Sequence, residues 1–335
     1  MLNKTILITG GAGYIGSHIA KNFLANGFKV VIIDNLSRGY KEAIEILQTL
    51  GEVTFIEGDI LDAKVLANIF KENKIDAVIH CAALCLPDES VLKPFEYNQV
   101  NLLGTINILE AMKQNNISKI IFSSTCAVYG DAQSLPINED HRVKPISPYG
   151  TSKLLAEQAL DLYKNLFNIN YIIFRFFNVC GADLNGLIGD SKKPSQLLMQ
   201  NAVRGALGIE DFSYTCPKVD TPDGTPIRDY IDVEDLALAH SLAYNYLSNN
   251  NQSQLINLGS GTGLSVKQIV NQVEQTLNLV LSKNQAKPRP AEYAATYADI
   301  SKAKTILNWQ PTKNLEASIK SLVNWYKKHP RGYKY

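Results

Sequence analysis

What most restricts the fold of this chain is an alternation of continuous Val/Ile runs with stretches of helical spacing. "KTILITG", "KVVIID", "VTFIEGD", "DAVIHCAA" and "KIIFSST" are strand-sized, and among them stand "SHIAKNFLANG", "LANIFKEN" and "GTINILEAMKQNN". A strand that is apolar on both faces is buried on both, and intervening helices provide the crossovers that parallel strands require. The pattern therefore predicts an α/β fold with a doubly wound, Rossmann-like parallel sheet. After residue 180 the rhythm breaks, and "GADLNGLIGDSKKPS", "CPKVDTPDGTPIRDY" and "KPRPAEY" are rich in Gly, Asp and Pro. We expect a sheet domain over 1–180, with a return segment near 230–257, and a smaller lid domain over 181–229 and 258–335.

Composition excludes several classes of function. Lys+Arg 33 against Asp+Glu 32 leaves no excess charge to follow a phosphate backbone, so no nucleic acid is expected as partner. The longest apolar runs fall far short of the roughly 20 residues that a membrane-spanning helix needs. "MLNKTILITGG" enters a strand rather than a cleaved leader, and we expect a cytoplasmic protein with no membrane partner. Cys81, Cys85, Cys126, Cys180 and Cys216 form no CxxC pair, which suits a reducing compartment. His80 adjoins Cys81 and Cys85, but a zinc site needs further ligands, and no metal is expected.

"TGGAGYIGSH" follows the first strand and opens a helix. Gly11, Gly13 and Gly16 fit G-x-G-x-x-G, while Gly10, Gly13 and Gly16 fit G-x-x-G-x-x-G. Glycines permit a tight turn there and let backbone N–H groups at a helix start approach a pyrophosphate. The second strand ends in Asp34, placed to accept from the adenosine ribose hydroxyls. Its charge would repel a 2'-phosphate, so NAD is favoured over NADP, although Arg38 could accept that phosphate. Asp59 and Ile60 in "GDI" are candidates to hold the adenine, and the small Ala82 and Ala83 in "HCAA" would let a cofactor lie against the backbone.

Tyr149 and Lys153 in "SPYGTSK" are four apart at the start of a plausible helix, "YGTSKLLAEQALDLY", so both side chains share a face. Tyr214 and Lys218 repeat the spacing, but Pro217 lies between them and no helix aligns the pair. Upstream, "IFSSTCAVYG" turns polar at Ser123, Ser124 and Thr125, at the carboxyl end of a strand, where doubly wound sheets bind ligands. A strand-end hydroxyl, a tyrosine and a lysine are the parts needed to move a proton off an alcohol beside a nicotinamide. The lysine and the cationic ring would lower the phenol's pKa from about 10. Lys153 could also hold the nicotinamide ribose.

With these segments, and with "DNLSRG", "ESVLKPFEY", "RFFNVCGAD", "TPDGTPIRDYI", "NLGSGTGLSV" and "LNWQP", the chain resembles, nearly end to end, the UDP-glucose (UDP-galactose) 4-epimerases of the extended short-chain dehydrogenase/reductase family. The resemblance implies that tightly held NAD takes a hydride from sugar C4 while Tyr149 accepts the hydroxyl proton. A 4-keto sugar then turns in the lid and takes the hydride back on its other face. Carried onto this chain, Thr125, Tyr149 and Lys153 are catalytic. Gly10, Gly13, Tyr14, Ile15, Gly16, Asp34, Asn35, Ser37, Arg38, Asp59, Ile60, Cys81, Ala82, Ala83, Asn101, Ser123 and Phe177 join Tyr149 and Lys153 at the cofactor. Asn178 would meet the sugar nucleotide together with Thr125 and Tyr149, Arg228 and Arg289 would grip the diphosphate, Glu292 a uridine ribose hydroxyl, and Thr296 would border the sugar. The resemblance also implies a homodimer, with "TINILEAMKQ" and "TSKLLAEQALDLY" as candidate interface helices.

Some positions depart from the family pattern. Cys85 replaces a lysine that usually touches the cofactor, Gln196 and Leu197 stand where an asparagine is usual, and Asp232 turns "RDYIHV" into "RDYIDV". Thr296, smaller than the tyrosine of some relatives, would admit an N-acetylhexosamine. Related dehydratases and decarboxylases place acids just after the threonine, whereas Cys126 and Ala127 stand here, which favours simple C4 inversion. A UDP-xylose or UDP-glucuronic acid substrate stays open. The rival from another class is an NAD-binding sensor without catalysis, which would have no need to keep Tyr149, Lys153 and Thr125 together.

Overall fold

The computed structural model describes residues 4–192, 195–286 and 293–333. Strands Thr5–Thr9, Lys29–Asp34, Val53–Glu57, Ile75–His80, Lys119–Thr125, Asn170–Phe176 and Gln254–Leu258 form one parallel sheet. In chain rank their spatial order is 3-2-1-4-5-6-7, so the order reverses between the first and fourth strands and opens a crevice beyond their carboxyl ends. The alternation predicts this doubly wound sheet, and side-chain period supplies its two cores. Ile6 and Ile8 of the first strand enter one core, with Phe23 of helix Tyr14–Ala25 and Leu236 of helix Val233–Asn250. Leu7 points to the other, with Leu66, Ile108 and Leu160 of helices Ala63–Glu72, Gly104–Gln114 and Pro148–Phe167.

Two details aim the helix that matters most. Ser147 accepts from the Gly150 backbone N–H at 3.1 Å, and Pro148, which has no N–H to satisfy, takes the first helical position. Tyr149 is thereby held in the first turn, with Lys153 one turn on.

Beyond Phe176 the chain builds a second, smaller layer. Strand Ile227–Asp232 pairs with Asn178–Cys180 and Ala295–Thr296 in parallel and with Gly263–Ser265 antiparallel, and it places Asn178 opposite Tyr230 and Thr296 opposite Arg228. A separate core of Met199, Val203, Phe212, Ile269, Leu322 and Trp325 supports this layer. The buried Asp229 carboxylate ties it together, accepting from Ser260 N and Oγ (2.6 and 2.7 Å), Gly261 N (3.1 Å) and Ala298 N (3.1 Å). Between these pieces, helix Val233–Asn250 leads back to the large sheet through Gln254–Leu258. Among the described residues no helix is long and apolar enough to cross a membrane.

Candidate active site

All the expected cofactor residues except Asn101 and Phe177 line one crevice at the switch point. Its floor is the glycine turn, which uses the 10-13-16 set as the ligand-facing spacing. Gly10 has φ +71, and a Cβ there would meet the Ala82 backbone at 2.7 Å. A Cβ on Gly16 would strike the Gly10 carbonyl at 2.2 Å, so this glycine closes the turn onto its helix. Gly13 differs, since its Cβ would meet only the Gly10 oxygen, at 3.3 Å, and its face is open toward the crevice. That cradle, at the N-terminus of a 12-residue helix, fits a pyrophosphate. Gly11 packs on Ile32 instead.

Asp34 is fastened across from the turn, accepting from Ala12 N (3.0 Å) and Leu36 N (2.9 Å). Burial raises its pKa against those two donors, and a carboxylate so held keeps lone pairs for ribose hydroxyls. Asn35 donates to Asp59 at 2.8 Å and accepts from Ser37 Oγ at 2.6 Å. Arg38, the candidate 2'-phosphate receptor, is ion-paired with Glu89. The Tyr14 hydroxyl donates to Gly181 O at 2.6 Å.

At the far end of the crevice stand Tyr149 and Lys153, with Thr125 in the cleft beside it. Burial pushes the Tyr149 phenol above its ordinary value, and a hydrogen bond from Thr125 pulls the other way. The protein alone thus keeps this tyrosine protonated, so the expected lowering is not produced by Lys153. Burial pushes the Lys153 ammonium down to about 8, and its Nζ lies 4.3 Å from the centre of the Phe122 ring. Tyr149 lines both this crevice and the adjoining cleft, in which Thr125, Phe177, Asn178, Gln196 and Leu197 also stand. By contrast Tyr214 lies in the two-residue strand Ser213–Tyr214, so the second Tyr/Lys spacing has no helix.

Other expected residues fall elsewhere. Asn101 is buried outside the crevice, where it accepts from Leu84 N (2.8 Å) and donates to Leu84 O (2.9 Å) and Ser152 Oγ (3.0 Å). Both donors are used, so it pins the Leu84 segment to the Tyr149 helix. Phe177 packs with Val128, Tyr129 and Ile137 and borders the second cleft. Arg228 and Asn178 line a third hollow with Phe212, Tyr214 and Cys216. Thr296 is buried in register with Arg228. Arg289 and Glu292 lie outside the described residues. Asp232 caps helix Val233–Asn250 through Glu234 N (2.9 Å) and accepts from Ser318 (2.6 Å), so this departure serves the fold and not the sugar. Among the described residues no group of three metal-ligating side chains occurs.

Beneath the site lies a polar network that the sequence reading missed. Glu157, one turn beyond Lys153, accepts from Ser124 Oγ at 2.5 Å and from Arg175 Nε and a terminal nitrogen at 3.1 and 2.6 Å. Burial opposes the Arg175 charge, but Glu157 outweighs it and raises the pKa. The guanidinium lies 4.7 Å from the Tyr129 ring centre, and the Tyr129 hydroxyl donates to Asn257 at 2.6 Å. An arginine inside the apolar run "FRFF" was the signal available.

A crevice of this shape, with a half-buried phenol and a buried ammonium where the strand order reverses, defines an enzyme of the nicotinamide-dinucleotide class. The chain belongs to the NAD dependent epimerase/dehydratase family, whose model matches residues 6–259. It is 41% identical over 330 residues to a UDP-glucose 4-epimerase of Halalkalibacterium halodurans, covering 98% of this chain and 97% of that one. It is also 41% identical to a probable UDP-arabinose 4-epimerase 1 of Oryza sativa, covering 98% and 80%. Its fold is similar, with TM-score 0.93 and 35% identity over 98% and 100% of the chains, to a UDP-glucose 4-epimerase from Bifidobacterium longum solved with NAD+ and UDP.

Proposed function

We propose that this NAD-dependent UDP-sugar 4-epimerase interconverts UDP-galactose and UDP-glucose. The observation that carries this reading is the position of Tyr149, whose side chain borders the dinucleotide crevice and the adjoining cleft at once. The crevice lined by Gly13, Asp34 and Lys153 would hold NAD, which would supply the hydride acceptor for sugar C4 and the donor for its return to the opposite face.

The chain's own residues then have definite work. Gly13 leaves room for the pyrophosphate, and Asp34 accepts from the adenosine ribose. With a bound cofactor's cationic ring lowering the phenol's pKa, its own proton would leave to solvent, and the Tyr149 oxygen then takes the C4 hydroxyl proton and gives it back, while Thr125 holds the hydroxyl in line. Lys153 has no carboxylate partner among the described residues, so its charge acts on the phenolate and on the nicotinamide ribose. Cys126 and Ala127 follow Thr125, and burial pushes the Cys126 thiol up to about 12. No acid stands there to expel a leaving group, which supports inversion over elimination.

The exposed Leu155, Leu162, Leu166 and Phe167 of the Tyr149 helix support a homodimer packed through that face, and five free thiols suit a cytoplasmic enzyme of galactose metabolism. A second reading, epimerisation of N-acetylated UDP-hexoses, rests on the small Thr296. The test is to incubate purified protein with UDP-galactose and, separately, UDP-N-acetylgalactosamine, with no added cofactor, and to follow the C4 epimers. Absence of turnover with both from protein that contains NAD would falsify the reading.

A further inference from the structure

We propose that Lys192 is the cation that meets the dinucleotide's pyrophosphate, supplying from a distant loop the charge that position 85 lacks. The inference rests on the NAD reading. Lys192 and Cys85 are 107 residues apart in the chain, yet Nζ lies 3.8 Å from the Cys85 Sγ. Both line the crevice that contains Gly13 and Tyr14.

Three cationic side chains border that crevice, and two are already engaged. Arg38 is neutralised by Glu89, and Lys153 lies over the Phe122 ring at the Tyr149 end. Lys192 has no carboxylate at ion-pair distance among the described residues, and its one side-chain hydrogen bond goes to a thiol. A thiol is a weak acceptor, and an ammonium has three donors, so most of its capacity is unspent. An ammonium drawn into a cleft without an anion is costly, and a diphosphate is the anion the cleft is shaped for. The Asp190 carboxylate faces its own loop, where it accepts from the Lys192 backbone N–H at 3.4 Å and from Ser195 at 3.3 Å. The pyrophosphate would thus be held by helix N–H groups at Gly13 and by an ammonium from the second layer.

The test compares wild type, Lys192→Met and the double variant Lys192→Met/Cys85→Lys. The readouts are NAD retained per chain after exhaustive dialysis, the NAD dissociation constant of the stripped protein, and the KM for UDP-galactose. Loss of one charge-assisted contact weakens NAD binding by about tenfold or more in Lys192→Met, with the melting temperature of stripped protein unchanged. Cys85→Lys restores retention, because it returns an ammonium to the same place. Wild-type NAD affinity in Lys192→Met overturns the proposal, as does a double variant that binds no better than the single one. A defect confined to the KM for UDP-galactose overturns it too, assigning the cation to the sugar nucleotide. Wild-type protein that binds no NAD overturns the underlying reading and this proposal with it.

Discussion

The dinucleotide crevice and the cleft beside it meet at Tyr149 but are made differently. The crevice takes its walls from strand ends of one sheet: glycines after the first strand, Asp34 closing the second, Asp59 after the third, Cys81 to Ala83 after the fourth, Ser123 at the end of the fifth. The cleft gathers Asn178, Gln196 and Leu197, and the hollow next to it Arg228, from segments far apart, held by a small sheet and the Asp229 contacts. Their buried charges contrast as well. In the layers around the large sheet, burial drives His18 and His240 down to about 4 and His80 to about 3, so all three imidazoles are neutral. In the smaller layer burial raises Asp190 and Asp229, and lifts Asp232 to about 6. One region is placed chiefly by backbone geometry at strand ends, the other by long-range contacts to carboxylates.

Acid probes that contrast with the largest expected effect. A histidine depressed below its unfolded value of about 6.5 contributes stability present above that pH and lost as pH falls toward 4. A carboxylate raised to about 6 acts oppositely, favouring the native state as pH falls through 6 toward its unfolded value. Three imidazoles against one strongly shifted aspartate leave the histidines dominant, so unfolding free energy should drop by on the order of 2 kcal/mol per pH unit near pH 5. Urea titrations at pH 7, 6 and 5 that superimpose would break the comparison.

Tyr149→Phe comes next, removing a phenol oxygen from the seam between the two clefts. Turnover should fall about 10^3-fold while NAD content is unchanged. Glu157→Gln strips the partner from buried Arg175 beneath them and should cost on the order of 3 kcal/mol, read as a lower midpoint in urea. A variant as stable as wild type would show that the crevice does not need its polar floor. The smallest effect sharpens the geometry of the turn: Gly13→Ala should keep the wild-type melting temperature yet weaken NAD binding about tenfold, by blocking close approach. Gly16→Ala should instead lower the melting temperature, since its Cβ has no room.

The contrast also explains what could be read in advance. Apolar runs announce buried strands, and Asp34 and Thr125 were legible because each ends such a run. Lys153 was legible because helical spacing puts it beside Tyr149. The Glu157 and Arg175 pair was not, because pairing a helix with a strand 18 residues away depends on which face each turns inward. Asn101 shows the reverse: a polar residue near the site packs the Leu84 segment from outside the crevice lining. Asp232, a departure from the family pattern in sequence, is a helix cap. Lys192 carried no pattern at all, since a loop crossing from the second layer brings it to Cys85.

The four hydrogen bonds to Asp229 bear on any attempt to transplant the pocket of one relative into another. Residues 227–232, 259–262 and 295–298 would have to travel as one cassette, because a graft of any single piece strands a desolvated carboxylate or orphans the amides that faced it. Recombination between homologues should therefore succeed at crossover points outside all three and fail at points that separate them.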